Sequence, residues 1–177
     1  MAEKEREYFI IDGYNLIYAS KELSGMLADF AAARDRLVHI VSEYGAYEKI
    51  DVTIVFDAPN TAEEEQQQEI GEHCRVVYTK AEETADSYIE RLAYELARKK
   101  KVVRVVSSDS AIESVILGAG GVRVPSREFM NAIRRAKKHL RREYLGNVTI
   151  PLARHDVSTR LDEETLSELN RLRREDL

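Results

Sequence analysis

Four aspartates stand where the sequence indicates that strands end or helices begin. Asp12, Asp57 and Asp109 each follow closely on a short run of apolar residues, and Asp86 falls in the first turn of a predicted helix. The carboxyl ends of parallel strands meet at one edge of a sheet, and the loops there converge on a shared crevice. We therefore expect these four carboxylates to lie close together.

A cluster of four carboxylates has a definite chemistry. Like charges a few ångströms apart raise one another's pKa, so the cluster destabilises the fold unless a cation neutralises it. Carboxylate oxygens suit Mg²⁺ or Mn²⁺, which is held by one or two carboxylates, several waters and the phosphate oxygens of a substrate. Such a site supports metal-assisted hydrolysis of a phosphodiester bond, in which the ion activates a water molecule.

Each aspartate also has a purely structural interpretation. Asp57 precedes an Ala-Pro pair and could form a turn, whereas Asp86 could complement a helix dipole. Asp109 could simply end its loop, because Ser110 and Glu113 have the spacing of a capping box that forms without it. The spacing alone leaves these interpretations open beside the metal site.

Apolar periodicity predicts strands that alternate with helices. The predicted strands are 8–11, 52–56, 75–79, 102–106 and 122–124, and the predicted helices are 26–47, 85–96, 110–117 and a long one that begins near Pro125. We expect the polar stretch 63–72 to be an exposed loop or a short helix. Because the strands are apolar on both faces, the pattern predicts an α/β fold with three α/β/α layers and a mostly parallel central sheet.

The length and composition fit one ordinary domain with a short extension. The chain has 177 residues, and its single cysteine excludes a disulfide-stapled fold and a cysteine-rich zinc site. We expect one α/β domain over 1–145, which includes a basic helix at 125–144, and a C-terminal extension over 146–177 with a terminal helix near 162–174. No secretory signal or membrane-length apolar run is visible, so we expect a reducing, cytoplasmic location and no membrane partner.

Charge is unevenly distributed along the chain. The whole chain has a net charge of −5, but the segment from Arg123 to Leu145 holds eight basic and two acidic residues. A helix over this segment places one apolar stripe, through Phe129, Ile133, Ala136 and Leu140, against the domain and leaves its cations outside. The candidate RNA-binding residues are Arg134, Arg135, Lys137, Lys138, Arg141 and Arg142.

These cations would attract phosphate backbones and give salt-dependent binding without reading the bases. The alternative is a solvated helix whose last cations complement its dipole. We favour RNA contact, because an acidic pocket would otherwise repel a polyanionic substrate. Tyr14 and Tyr18 are further candidates, for stacking on an unpaired base, although burial is an equally good interpretation of both.

Four segments in a fixed order resemble one known family. They are Asp12–Ile17, which reads Asp-Gly-Tyr-Asn-Leu-Ile, then Val55–Ala58, Thr79–Asp86 and Ser107–Asp109. Together they are similar to the NYN domain, specifically its YacP-like branch, over about residues 8–144. The ordered set is more specific than any one segment. The family resembles PIN-type nucleases in having a parallel α/β sheet and an acidic ribonuclease site that binds divalent metal.

The resemblance implies roles for particular residues. Asp12, Asp86 and Asp109 are the expected ligands of Mg²⁺ or Mn²⁺, and Asp57 and Asn15 are the expected further catalytic residues. The Asn15 amide could orient a water or a phosphate, since it offers both donors and an acceptor, or could merely stabilise its loop. The family further implies endonucleolytic cleavage of single-stranded messenger RNA at ribosomes in bacteria or plastids, without a small-molecule organic cofactor.

Two other functions are compatible with the same residues. One is a non-catalytic RNA- or ribosome-binding module with a degenerate nuclease fold. The other is a phosphoacceptor or phosphatase domain, since such domains also place aspartates at strand ends. Position 14 is a tyrosine where a paired Asp-x-Asp nucleophile needs a second acid, which disfavours the phosphatase.

Overall fold

Six strands and six helices make up the described part of the chain. The structure is a computed structural model, and it describes residues 7–58 and 64–147. The strands are β1 (Glu7–Asp12), β2 (Asp51–Phe56), β3 (Gln66–Ile70), β4 (Cys74–Tyr78), β5 (Val102–Val106) and β6 (Val122–Val124). The helices are α1 (Gly13–Ala19), α2 (Lys21–Ser24), α3 (Phe30–Glu48), α4 (Ala85–Arg98), α5 (Ala111–Gly118) and α6 (Ser126–Asn147).

β1 lies inside the sheet at the place where the strand order reverses. The order is β3-β4-β2-β1-β5-β6, and every neighbouring pair is parallel except β3 with β4. Ile10 of β1 lies opposite Thr53 of β2 and Val105 of β5. Because the chain passes from β1 to one side and later returns to the other, the carboxyl end of β1 is a switch point, where open α/β sheets bind their ligands.

Alternating side chains of the strands form two cores, one on each face of the sheet. Ile11 and Phe56 lie in the core that also contains residues of α1, α2, α3 and α6. Ile10 and Val55 lie in the core that also contains residues of α4 and α5. All four side chains are fully buried, and each contributes about 1.5–3 kcal/mol by its removal from water. The three-layer α/β/α architecture with a mostly parallel sheet is therefore confirmed.

The polar stretch at 63–72 is not the loop or short helix that its composition predicts, because it contains the edge strand β3. β3 pairs antiparallel with β4 after a turn at Gly71, whose φ of +66° favours glycine. An edge strand needs no apolar face. Glu69 instead forms an ion pair with Arg75 directly across the two strands, at 2.6 Å. Apolar periodicity cannot detect a strand that is stabilised in this way.

The chain between β1 and α3 holds two short helices that the sequence did not predict. α1 and α2 meet at Ser20, whose side chain accepts a hydrogen bond at the start of α2. α3 begins at Phe30, later than the apolar pattern predicts. The reason is that the Asp29 carboxylate accepts a hydrogen bond from the backbone N–H of Ala32 and so caps the helix there.

α6 follows Pro125 as predicted and is amphipathic. Phe129 and Ile133 are buried in the core beside β1, and Ala136 and Leu140 are half-buried. The six cations that the sequence assigns to RNA binding are all exposed. The predicted division of this helix into an inner stripe and an outer charged surface is therefore confirmed.

The chain divides into two units, Met1–Leu140 and Arg141–Leu177, so the division falls within α6. The sequence places the boundary after residue 145. Most of the expected C-terminal extension, including its terminal helix, lies outside the described residues. Over the ranges that are described, no helix is both long enough and apolar enough to cross a bilayer.

Candidate active site

Asp12 occupies the switch point at the carboxyl end of β1. It is both the last residue of the strand and the N-cap of α1, where its carboxylate accepts a hydrogen bond from the Asn15 backbone N–H at 3.0 Å. Gly13 lets α1 start directly against β2, because a Cβ there would lie 2.3 Å from a ring carbon of Phe56. This close turn holds the half-buried carboxylate at the edge of the sheet.

The four predicted aspartates interact electrostatically with one another. Burial raises the pKa of Asp12 to about 6 against the opposing effect of the Asn15 N–H, and the charges of Asp86, Asp57 and Asp109 add to the rise. The pKa of Asp86 is also raised, by partial desolvation and then by Asp109 and Asp57. The structure therefore places the other three predicted aspartates within electrostatic range of Asp12.

Asp57 connects the end of β2 to the start of α4. Its carboxylate accepts a hydrogen bond from the backbone N–H of Ala85 at 2.6 Å. Thr84 caps the same helix by accepting a hydrogen bond from the Ser87 N–H. Two contacts thus fix the first turn of α4, which carries Asp86. Asp57 has a structural task as well as a place in the acidic cluster.

The side-chain oxygen of Asn15 joins three elements. It accepts hydrogen bonds from the Ser108 backbone N–H at 2.9 Å and from the Ser126 hydroxyl at 2.8 Å. Because a backbone N–H can donate to the amide oxygen but not to the amide nitrogen, these contacts fix the orientation of the group. Asn15, which lies in α1, therefore stabilises the loop after β5, and its NH₂ group is left for other contacts.

The loop that carries Asp109 is held from several directions. Asn15 accepts the hydrogen bond from Ser108, and the Ser107 hydroxyl accepts one from the Asp109 N–H at 3.1 Å. Arg123 donates to the Ser107 carbonyl at 3.2 Å. These contacts fix the backbone on both sides of position 108. They therefore also fix the point from which the Asp109 side chain extends.

The capping box predicted at Ser110 does not form. The Ser110 side chain makes no capping hydrogen bond, and Glu113 instead forms an ion pair with Arg123 at 3.2 Å. β6 lies beside β5 and brings this guanidinium to α5. The interpretation that α5 is capped independently of Asp109 is therefore wrong.

The sequence assigns no positioning role to three residues that have one. They are Ser107, Arg123 and Ser126, which hold Asn15 or the loop of Asp109. All three lie at or near the carboxyl ends of β5 and β6. Strand-end position is thus a signal that could have found them, although serine and arginine have no spacing that marks them as ligands.

The acidic edge carries oxygen ligands, but its described side chains are not grouped as a metal site. Over residues 7–58 and 64–147, no group of three Asp, Glu, His or Cys side chains is close enough together to hold an ion directly. Burial first, and then the neighbouring acids, raise the pKa of Asp12 and of Asp86, and a cation offsets the repulsion between such acids. Mg²⁺ usually keeps several waters and binds through one or two carboxylates. The edge therefore suits such an ion in ligand type, but not in the grouping of its described side chains.

α6 begins at the acidic edge, where the hydroxyl of its first residue, Ser126, donates to Asn15. Arg134, the first cation of the predicted RNA-binding set, is eight residues further along the helix, a rise of about 12 Å. Arg134, Arg135, Lys137 and Lys138 are exposed. Exposed positive charge therefore begins about 12 Å along α6 from the acidic edge.

A cavity of about 390 Å³ lies between α3 and α6. Mostly apolar side chains line it, among them Ile40, Tyr44 and Ile133, and none of the predicted aspartates does. Lys137 is the predicted site residue on its wall. The aspartates lie instead at an edge of the sheet, where three of the four are exposed.

Both the sequence and the fold are similar to those of known proteins. A family model described as the YacP-like NYN domain matches residues 9–174. The uncharacterized protein YacP of Bacillus subtilis (strain 168) is 31% identical over 172 residues, 97% of this chain and 99% of that protein. A mutant crystal structure of Rae1 (YacP) from Bacillus subtilis has a TM-score of 0.69 at 27% identity, covering 94% of this chain and 99% of its own. A second crystal structure of Rae1 (YacP) has a TM-score of 0.64 at 28% identity, covering 97% of each chain.

Proposed function

Because the chain belongs to the YacP-like NYN domain family, which has a nuclease-type fold, we propose that it is a divalent-metal-dependent endoribonuclease. The proposed substrate is single-stranded RNA, and in particular messenger RNA on or near the ribosome in the cytoplasm. Water attacks phosphorus and the bond to the 3′ oxygen breaks, which leaves a 5′-phosphate and a 3′-hydroxyl.

The observation that carries this proposal is the environment of Asp12. Its carboxyl is half-buried at the switch point, and burial together with three neighbouring acids raises its pKa to about 6. A charge in that position destabilises the fold relative to a neutral side chain. An acid held in these surroundings supports a ligand that supplies positive charge.

The residues of the acidic edge have different proposed roles. Mg²⁺ or Mn²⁺, when bound, lowers the pKa of a water molecule and offsets the negative charge that builds on the phosphate. Asp12, Asp86 and Asp109 are the residues that would hold the ion. Asp57 orients Asp86, since it binds the first backbone N–H of α4. The NH₂ group of Asn15 would donate to a phosphate oxygen, because the amide oxygen is already occupied.

The basic surface of α6 supports a polyanionic substrate. Its cations are exposed, and contacts between cations and phosphates raise affinity without regard to sequence and weaken as salt rises. This surface supports RNA binding in general. The proposal that the substrate is messenger RNA at the ribosome rests on the family resemblance.

A cleavage assay tests the proposal. The purified protein is incubated with labelled single-stranded RNA, alone and with translating ribosomes, in Mg²⁺, in Mn²⁺ and in EDTA. We expect products with 5′-phosphates in either metal, none in EDTA, and a loss of about 100-fold or more in Asp12→Asn and Asp86→Asn. Asp29→Asn is the matched control, because Asp29 also caps a helix but is not among the acids that raise the pKa of Asp12. Cleavage that persists in EDTA and in both variants contradicts the proposal.

A non-catalytic RNA- or ribosome-binding module is the second candidate function. The observation that favours it is that, over the described ranges, no three side chains are grouped closely enough to hold a metal directly. This function predicts that neutralising the cations at 134–142 abolishes RNA binding and that Asp12→Asn does not affect it. It also predicts no cleavage product at any Mn²⁺ concentration.

A further inference from the structure

Four aromatic rings form a continuous row at the edge of the sheet. The ring centroids are 6.2 Å apart between Phe30 and Tyr14, 5.2 Å between Tyr14 and Phe56, and 5.6 Å between Phe56 and Tyr78. Phe56 is fully buried and Tyr14 is half-buried, whereas Phe30 is 44% exposed. The row therefore leads from the core to a ring that solvent can reach.

The row starts from the same strand ends as the aspartates. Tyr14 comes two residues after Asp12, Phe56 directly precedes Asp57, and Tyr78 is the last residue of β4. β1, β2 and β4 are parallel neighbours in the sheet, so their carboxyl ends meet at one edge. The aromatic row therefore begins at the sheet edge that carries Asp12 and Asp57.

Arg34 of α3 adds a positive charge to this row. Its guanidinium donates a hydrogen bond to the Tyr14 hydroxyl at 3.0 Å and lies over the ring of Tyr78, 6.0 Å from the centroid. Within the part of the chain that the structure describes, it forms no ion pair with a carboxylate. Arg36 of the same helix, in contrast, pairs with Glu22 at 3.1 Å. Two aromatic side chains thus hold Arg34 in place and leave its charge available to a ligand.

Neither feature alone points to a ligand. Isolated exposed apolar side chains are common, and aromatic pairs occur in many cores. Here an exposed ring and a cation without an ion pair both contact Tyr14, which follows Asp12 of the acidic edge by two residues. Proteins that bind single-stranded nucleic acid combine stacking on aromatic side chains with cationic contacts to the backbone.

We propose that Phe30, Tyr14 and Arg34 form a nucleotide subsite for single-stranded RNA, in which a base stacks on Phe30 and a phosphate contacts Arg34. This inference rests on the function proposed above and adds how a nucleotide beside the cleaved bond is held. Stacking does not read base edges, so the subsite accepts any unpaired base. It rejects a duplex, whose bases already stack on each other, and so accounts for single-strand selectivity.

Binding of a fluorescein-labelled RNA of about eight nucleotides, followed by anisotropy in Mg²⁺, tests the stacking contact. Every protein in this assay carries Asp86→Asn, so that cleavage does not interfere. We expect Phe30→Leu to weaken binding about 5- to 150-fold, the loss of one base stack, and Phe30→Trp to retain it. An RNA of equal length whose residues are all abasic should bind Phe30→Leu and its parent equally. Tyr94→Leu is the matched control, because Tyr94 is an exposed ring on α4.

The salt dependence of the same binding tests the cationic contact. Arg34→Gln should reduce the slope of log K against log salt by about 0.7, the loss of one phosphate contact on a single strand. Arg34→Lys should keep the slope. Arg36→Gln is the matched control and should not change it, since Glu22 already pairs with that guanidinium. Thermal unfolding of each variant verifies that the fold is retained.

The two proposals fail in distinguishable ways. If Phe30→Leu and Arg34→Gln bind RNA as well as Tyr94→Leu and Arg36→Gln do, the nucleotide subsite is overturned. If the unsubstituted protein cleaves no RNA while Phe30→Leu and Arg34→Gln still weaken binding, the nuclease function is overturned and the subsite stands.

Discussion

At the scale of the residue, Asp12 is subject to opposing effects. The Asn15 N–H that it caps favours the carboxylate, whereas burial and three neighbouring acids favour the neutral carboxylic acid. Burial is the larger effect, since the pKa rises to about 6. A strongly perturbed carboxyl with identified charge partners is a typical feature of functional sites. Stability is therefore favoured by a neutral side chain at position 12, whereas the proposed activity requires the carboxylate.

Replacing Asp12 with asparagine should stabilise the protein at about pH 7.5 and not at about pH 4. The folded pKa of about 6 exceeds the ordinary value of 3.8, so the folded state binds the proton more tightly. The contribution of Asp12 to stability is therefore greatest below about pH 4 and is lost as pH rises through about 6. Asparagine can still cap α1 and carries no charge, so we expect a gain of about 1–3 kcal/mol at the higher pH.

Urea unfolding in EDTA over this pH range measures the effect. Asp29→Asn, at a different helix cap, should show no such pH-dependent gain. A variant less stable than the unsubstituted protein at about pH 7.5 would show that the charge of Asp12 is not a burden on the fold.

At the scale of the element, the start of α1 packs unusually closely on β2. Gly13 is buried against Phe56, which itself lies between the rings of Tyr14 and Tyr78. The ring has no room to move away from a larger residue. The glycine after Asp12 is therefore required by packing, independently of any catalytic role of its neighbours.

Gly13→Ala should accordingly lower the free energy of unfolding by about 1–3 kcal/mol through overpacking. Its Cβ would lie 2.3 Å from a ring carbon of Phe56. Gly118→Ala in α5 is the matched control, since nothing lies within 4 Å of a Cβ there, and alanine is the better helix former. Urea unfolding measures the free energy of unfolding of both variants. Equal stability of the two would contradict the packing argument.

The positive charge of α6 leads to a second prediction at the scale of the element. The combined variant Arg134→Gln, Lys137→Gln and Lys138→Gln should reduce the salt slope of single-stranded RNA binding by about 2, at about 0.7 per lost phosphate contact. The matched control neutralises Arg98, Lys99 and Lys101, which are exposed cations near the end of α4. Anisotropy at several salt concentrations gives both slopes. A similar reduction in the control would mean that net charge, and not α6, governs binding.

At the scale of the whole molecule, the sheet concentrates like charge at one edge. Strands and helices that are far apart in sequence each deliver an aspartate there, and the cores on the two faces of the sheet hold those elements in place. The repulsion is a property of the folded state, because an unfolded chain separates these residues. A cation that binds the edge must therefore stabilise the fold.

Mg²⁺ or Mn²⁺ should raise the melting temperature of the protein. A ligand at about 100 times its Kd adds about 2.7 kcal/mol, which corresponds to about 5–10 °C for a chain of this length. Differential scanning fluorimetry measures the rise, with NaCl at equal ionic strength as the control. The rise should shrink in Asp12→Asn and in Asp86→Asn. An equal rise in melting temperature in both variants would show that the ion binds at another site.

The sequence by itself determined the fold class and the strand ends near which the aspartates lie. Buried parallel strands must be apolar on both faces, so their runs are visible in the sequence, and Asp12, Asp57 and Asp109 follow such runs. The amphipathic character of α6 was visible for the same reason, since its stripe repeats with the helical period. The local pattern of apolar residues indicates which side chains are buried. Those buried side chains determine the strands and helices, and so the edge of the sheet at which the strands end.

Only the tertiary structure decided which polar groups meet. β3 is an exposed edge strand, so no apolar pattern marks it. Asn15 and Ser126 are far apart in the chain, as are Arg34 and Tyr14, and each pair meets because of the strand order and the packing of helices on the sheet. A hydrogen bond between distant residues leaves no periodic trace in the sequence, because its partners are selected by geometry after the chain has folded.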